Sequence, residues 1–243
     1  MLLRNLLFCL FIFCCACTQT PKIIPETLTE GTVEFEIAIT APKDSAAGTM
    51  AMFFPTTGSF YFTTQRAALY VVAGMGMVSM RAVSYTQSSD TQPNRFAVFI
   101  DMVGDADKIL TADTADIRAL RDSAHVVLTK TTERKTILEI PTVKYIVTDT
   151  LKKTMAYLFV AEQVPVKNIY AALPFGGEIQ GLILEYIAKS DKGTLRLTAK
   201  KITPSVSAKD FDLPTKVARQ TWRSFREAEK IKEDSTKNET KKD

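Results

Sequence analysis

A strict period of two across residues 181–203 limits what this chain can fold into more than any other feature. Leu182, Leu184, Tyr186 and Ala188 fall on one face of a first run, and Leu195, Leu197 and Ala199 alternate with Arg196, Thr198 and Lys200 in a second. Ser190-Asp191-Lys192-Gly193 between them is a polar turn closing on a glycine. Successive side chains of a strand point to opposite faces, so this pattern predicts two paired antiparallel strands with one wet face. Such a hairpin is marginal alone and needs further strands or a helix beside it.

The rest of the chain supplies them. In residues 31–40, Val33, Phe35, Ile37 and Ile39 alternate with Glu34, Glu36 and Thr40. Phe35 and Ile37 are expected inside and both glutamates outside, because a one-residue slip would bury two charges. Short alternating or apolar runs follow at 50–54, 58–65, 67–73, 74–87, 95–102, 124–131, 134–140, 143–149 and 153–162. With the hairpin they make about ten or eleven strands, spaced by turn signals as in an antiparallel sheet or barrel. Asp113-Thr114-Ala115-Asp116 before Ile117, Leu120 and His125 predicts one short helix with a capping residue at its start. Pro141 is expected to interrupt a strand, and residues 165–172 to form a short helix. No strand–helix–strand rhythm and no repeat occurs. The class is mainly β with a few helices, and the pattern fits a single curved sheet and a β-sandwich equally.

Charge and composition exclude several functions. The net charge of +4, from 31 basic and 27 acidic residues, is mild, and no run is strongly basic, so no nucleic-acid partner is predicted. All four cysteines (Cys9, Cys14, Cys15 and Cys17) precede residue 18, which leaves the body without disulfides or thiolate metal sites. The single histidine, His125, rules out a multi-histidine zinc site; beside Val126, Val127 and Leu128 it reads as a strand residue. Gly74-Met75-Gly76 begins like a dinucleotide fingerprint, but Ser79 stands where the third glycine belongs. Asp105, Asp107 and Asp116 sit at calcium-loop positions, but Leu110 replaces the required glycine. Neither a cofactor nor a catalytic residue is predicted, and the chain reads as a non-enzyme. A hydrolase with dispersed carboxylates is the enzyme class left over.

The N-terminus carries signal-peptide anatomy. Arg4 precedes the apolar core Leu6-Leu7-Phe8-Cys9-Leu10-Phe11-Ile12-Phe13, far shorter than the ~20 residues that span a bilayer. Cys14-Cys15-Ala16-Cys17 then resembles a bacterial lipobox, with Cys14 in place of the usual larger aliphatic residue. The resemblance implies cleavage after residue 16 and acylation of Cys17, the chain's membrane attachment. Residues 17–30, with Pro21 and Pro25, read as a tether and 31–214 as the folded domain. Residues 215–243 read as a charged helix (Ala218, Trp222, Phe225 and Ala228 at helical spacing) followed by a disordered tail.

Several short motifs in the C-terminal half fall in a familiar order. They are Lys135-Thr136-Ile137-Leu138, Val143-Lys144-Tyr145-Ile146-Val147, Leu184-Glu185-Tyr186, Leu197-Thr198-Ala199-Lys200-Lys201-Ile202 and Phe211-Asp212-Leu213-Pro214. Together they resemble the LolA/LolB-like superfamily and, within it, lipoproteins of Bacteroidota that carry a domain of unknown function. The resemblance implies one curved antiparallel sheet, a half-open barrel covered by a few short helices over an apolar cavity. It implies an outer-membrane-anchored, periplasm-facing lipoprotein that binds a lipid or lipoprotein ligand without covalent chemistry. No functional residue is carried over.

Six methionines (Met50, Met52, Met75, Met77, Met80 and Met102) crowd into one third of the chain, and flexible thioethers suit a variable apolar ligand. An acyl-chain cavity is therefore expected to draw on Phe35, Ile37, Met52, Met75 and Met77 of the early strands and on Leu184 and Tyr186 of the hairpin. The alternative is a structural or interaction lipoprotein of the cell envelope with a packed β core.

Overall fold

A computed structural model of the 243-residue chain describes residues 25–40, 54–85, 96–102, 107–149, 154–166, 170, 173, 175–190 and 193–227. The proposed signal peptide, Cys17 and Met52 lie outside these residues, as do most of the 165–172 segment and the tail beyond residue 227.

The first strand, β1 (Gly31–Thr40), forms as its alternation demands: Phe35 and Ile37 are buried, and Glu34 and Glu36 face solvent and pair with Lys201 at 2.8 Å and Lys200 at 2.5 Å. A meander of β2 (Thr57–Phe62), β3 (Arg66–Ala73), β4 (Val78–Tyr85), β5 (Phe96–Met102) and β6 (Lys108–Ala112) extends from one side of β1. The helix α1 (Thr114–Ala124) then carries the chain to the opposite edge. There β7 (Val126–Ile137) begins a second meander through β8 (Ile140–Asp149), β9 (Thr154–Ala161), β10 (Leu182–Ser190) and β11 (Gly193–Thr203), which ends beside β1. The predicted 181–203 hairpin is β10–β11, with Tyr186 opposite Leu197 and Ala188 opposite Leu195.

All pairings within this sheet are antiparallel except that of a last short strand, β12 (Ala218–Thr221), which lies parallel to β6 at the edge. The helical spacing read for this segment holds only from Trp222 onward. The unpaired edge of β6 offers Ala218–Thr221 a ladder of hydrogen bonds, which outweighs its local helical pattern. Trp222 then packs on Ala112 and Ile117.

The connectivity forces the sheet to curl. β6 and β7 are ten positions apart in the twelve-strand order. At roughly 4.8 Å per strand a flat sheet would hold them about 48 Å apart. The connection through α1, at about 1.5 Å per helical residue with extended flanks, reaches roughly 30 Å at most. The result is one open, curved, mostly antiparallel sheet, the half-open barrel that the resemblance implies, and not the β-sandwich that the strand pattern alone would also fit.

Helix α1 starts as predicted. The Asp113 side chain accepts the Asp116 N–H at 2.8 Å, and the Asp116 carboxylate accepts the Asp113 N–H at 3.2 Å. It ends at His125, whose φ of 48° is left-handed. His125 thus caps the helix whose pattern it completes, and is not the strand residue that its apolar neighbours alone suggest; histidine tolerates this conformation better than most side chains. Two further expectations shift in the same region. Pro141 lies within β8 opposite Thr136 without ending it, near the hairpin turn. Thr132 and Glu133 do not separate two strands but form an irregularity within β7, where Thr131 Oγ1 accepts the Glu133 N–H and donates to Lys144 O. The turn that follows places Leu138 (φ 51°) and Glu139 (φ 63°) in left-handed backbone.

Beyond β11 the chain folds back over the outer face of β3 and β4. Phe211 packs on Ala68 and Val83, Arg66 stacks on the Phe211 ring at 4.2 Å, and Arg81 donates to Asp212 O at 2.9 Å. The Phe211-Asp212-Leu213-Pro214 motif therefore covers the convex side and leaves the concave side free.

Candidate functional site

Val33, Phe60, Leu69, Ala82 and Val98 lie directly opposite one another on β1 to β5. The next row runs Phe62, Ala67, Ser84 and Phe96. Both rows face inward, and at Ala67, Ala82 and Ser84 the side chains are short. An apolar cavity of about 400 Å³ remains over them, open on one side. Its wall reaches from Phe96 and Val98 on β5 across to Leu195, Leu197, Ile183 and Tyr186 on β11 and β10. Strands this far apart in the order meet across one cavity only because the sheet is curved.

Part of the wall comes from the connection between β9 and β10. Tyr170 and Leu173 line the cavity, and the Tyr170 ring stacks on Phe60 with centroids 5.5 Å apart. The Ile183 N–H donates to Tyr170 Oη at 2.7 Å, tying the connection to β10. The turn after it is compact, and Gly176 is required there: a Cβ would lie 1.7 Å from Tyr170 O. Ile179 and Phe175 continue from this turn into a cluster with Val147, Ala156, Leu158, Val160 and Ile183. The connection thus fills one flank of the concave face and borders the cavity on the other.

Among the described residues no lining residue is charged, and the polar side chains of the wall are those of Ser84, Tyr170 and Tyr186. Burial raises the Tyr186 phenol above its ordinary range. Burial likewise raises Tyr170, against a smaller opposite effect of the Ile183 N–H. Both remain protonated donors at neutral pH. The charged clusters lie elsewhere. Glu162 accepts from Lys130 Nζ at 2.8 Å and from Tyr145 Oη; burial alone would raise its carboxyl, but these partners hold it below the usual carboxylate range. Glu185, 6% exposed, pairs with Lys135, whose Nζ sits 3.8 Å above the Phe159 ring. Among the described residues no group of acidic, histidine or cysteine side chains has metal-site geometry.

Of the residues singled out from sequence, Phe35 and Tyr186 line the cavity. Ile37 is buried beside Gly58, and Leu184, fully buried, belongs to the packed cluster of Val33, Phe60 and Phe62. Met77 is 43% exposed in the turn between β3 and β4, outside the wall. Met75 falls in the same turn, while Met52 lies outside the described residues. Methionine crowding thus pointed to a turn as well as to a wall, and Met80 is the methionine that lines it. The unforeseen wall residues are of two kinds. Met80, Ala82 and Ser84 lie on one face of β4, and Val83 and Tyr85 pack outward with Phe211 from the other, so the larger side chains of the last two pointed to the wrong face. Tyr170 and Leu173 lie on a connection without periodicity, which carries no signal of what it covers.

Neither a protein-family model nor a curated protein matches the sequence. Among solved structures, the chain is similar to PNGF-II in one crystal form with 10% identity and a TM-score of 0.52, covering 82% of this chain and 32% of that one. A second crystal form of PNGF-II gives 10% identity and a TM-score of 0.51 over 81% of this chain and 32% of that one. The chain therefore spans about a third of the length of PNGF-II, and at this identity the likeness is one of fold alone. LprF from Mycobacterium bovis aligns with a TM-score of 0.31 and 11% identity over 74% of this chain and 89% of that one.

Proposed function

We propose that this protein is a lipoprotein of the cell envelope that shelters the apolar chain of a lipid or lipoprotein, without covalent chemistry. Acylated Cys17 anchors it to the outer membrane, facing the periplasm, and the segment from Cys17 toward the turn at Pro25–Thr27 tethers the domain; the tether is shorter than the 17–30 read from sequence, because Leu28 is already buried in the core with Val33 and Phe35. The observation that carries this reading is the cavity of about 400 Å³ on the concave face, walled by mostly apolar side chains with no charged one among the described residues. Taking a methylene as roughly the volume of a water, about 30 Å³, the space accommodates on the order of a dozen methylenes. At about 0.8 kcal/mol each, the gross gain is roughly 10 kcal/mol, above the lower end of the cost of association, about 4 kcal/mol. The lipobox-like Ala16-Cys17 and the motif resemblance to LolA/LolB-like proteins support the same reading.

The test is titration of the purified full chain with a fluorescent fatty acid. Binding is saturable in the natural protein, is weakened in Ala82→Leu, which takes up part of the cavity, and persists unchanged in Met77→Lys, which alters only the exposed turn. Absence of saturable binding, or equal binding by Ala82→Leu, sinks this reading in favour of an envelope interaction module. Membrane attachment is tested separately: Cys17→Ser abolishes palmitate labelling.

A further inference from the structure

The cavity wall is apolar but for three hydroxyls, and these differ in their partners. Ser84 is already engaged. Tyr170 Oη accepts the Ile183 N–H at 2.7 Å, an arrangement that uses the oxygen but leaves its O–H proton without an acceptor among the described residues. Tyr186 lies three residues further along the same strand, on the same wall, and its hydroxyl has no hydrogen-bond partner among the described residues. Neither phenol oxygen is a buried atom left without a partner, so both are placed to meet whatever occupies the cavity. Phenylalanine would pack as well against plain hydrocarbon, whereas a phenol adds an O–H donor to the wall. Two such donors suit a ligand that brings an acceptor to them. Burial keeps both phenols protonated, so both remain donors. Among the described residues no charged side chain lines the wall, so a neutral oxygen is the acceptor the wall favours: an unpaired carboxylate or phosphate there would pay a far larger desolvation cost.

We propose that the preferred ligand is a single-chain lipid bearing a neutral oxygen function, a keto, hydroxyl or ester group, within its apolar body, bound through the O–H groups of Tyr186 and Tyr170. This rests on the lipid-binding reading and specifies the chain. One hydrogen bond made in the cavity contributes about 0.5–1.5 kcal/mol net, roughly a two- to tenfold preference over a plain chain.

The experiment compares, on the purified full chain, a straight-chain fatty acid with its mid-chain keto and hydroxy analogues of equal length, each displacing a fluorescent fatty acid. The analogues are expected to bind several-fold more tightly than the plain acid. In Tyr186→Phe the ratio of the two affinities falls toward one, and in Tyr170→Phe it falls in the same direction. Met77→Lys retains the natural ratio. Equal affinities for plain and oxygenated chains in the natural protein overturn the inference while leaving lipid binding intact. A preference that survives both tyrosine substitutions also overturns it. Binding of none of the probes removes the lipid-binding reading itself, and the inference with it.

Discussion

The two flanks of the concave face are built from strands of the same kind but end differently. On β8, β9 and β10 the inward side chains Val147, Ala156, Leu158, Val160 and Ile183 are covered by Phe175 and Ile179 from the connection at 162–181. On β3, β4 and β5 the inward side chains Ala67, Ala82, Ser84 and Val98 meet no such cover among the described residues and border the cavity. Both flanks alternate with period two. The contrast teaches that alternation decides which face is apolar but not what occupies it. Occupancy depends on where the chain spends its connections: residues 63–65 join β2 to β3 by a tight turn, while β9 and β10 are joined by a segment long enough to fold into the barrel.

The largest expected effect tests the filled flank. Leu158 is fully buried, and Leu158→Ala should destabilise the fold by about 2–5 kcal/mol in urea unfolding. Leu69→Ala on the cavity wall should cost clearly less, because Leu69 already borders empty space. Equal costs would mean that the two flanks are equally packed. The reverse substitution sharpens the contrast. Ala156→Leu should overpack the filled flank and cost about 1–3 kcal/mol, whereas Ala82→Leu should cost less than about 1 kcal/mol by growing into the cavity.

The β7–β8 hairpin carries a smaller strain. Leu138 and Glu139 both hold left-handed backbone, which disfavours side chains by about 1–2 kcal/mol per residue. The double change Leu138→Asn, Glu139→Gly supplies the preferred residues of such a turn and should raise stability by about 1 kcal/mol. No gain in melting temperature would show that the turn is not limiting.

The smallest effect is pH-dependent and confined to the filled flank. Glu162 has a depressed carboxyl pKa in the folded state, so its contribution is present above the ordinary carboxylate pKa of 4.5 and is lost as pH falls through the folded value. The Glu162→Gln variant should therefore be less stable than the natural protein near neutrality, and the difference should narrow in acid. Its partial exposure keeps the effect small. A difference that stays constant down to low pH would assign the loss to packing instead.

Much of the sheet was legible in the sequence. The face of β1, the β10–β11 pairing and the capped start of α1 each depend on neighbours within a few residues, so local pattern suffices. The candidate site was legible only in part. Phe35 and Tyr186 were identified because inward alternation marks them, but Leu184 and Ile37 share that alternation and are packed away. Met77 was misplaced because a methionine beside a strand looks the same whether the chain continues or turns, and Gly76, at φ 93°, turns it.

By itself the sequence determined the class, a mainly β chain with alternating strands, because side-chain period and turn chemistry are properties of adjacent residues. Only the tertiary structure decided that the sheet closes on itself far enough to enclose a space, since that follows from β6 and β7 lying at opposite edges and being joined by one helix. It also decided that Ala218–Thr221 is a strand and that Tyr170 reaches Ile183. Both are contacts between residues remote in sequence, and their free energy exists only when the partner is already in place.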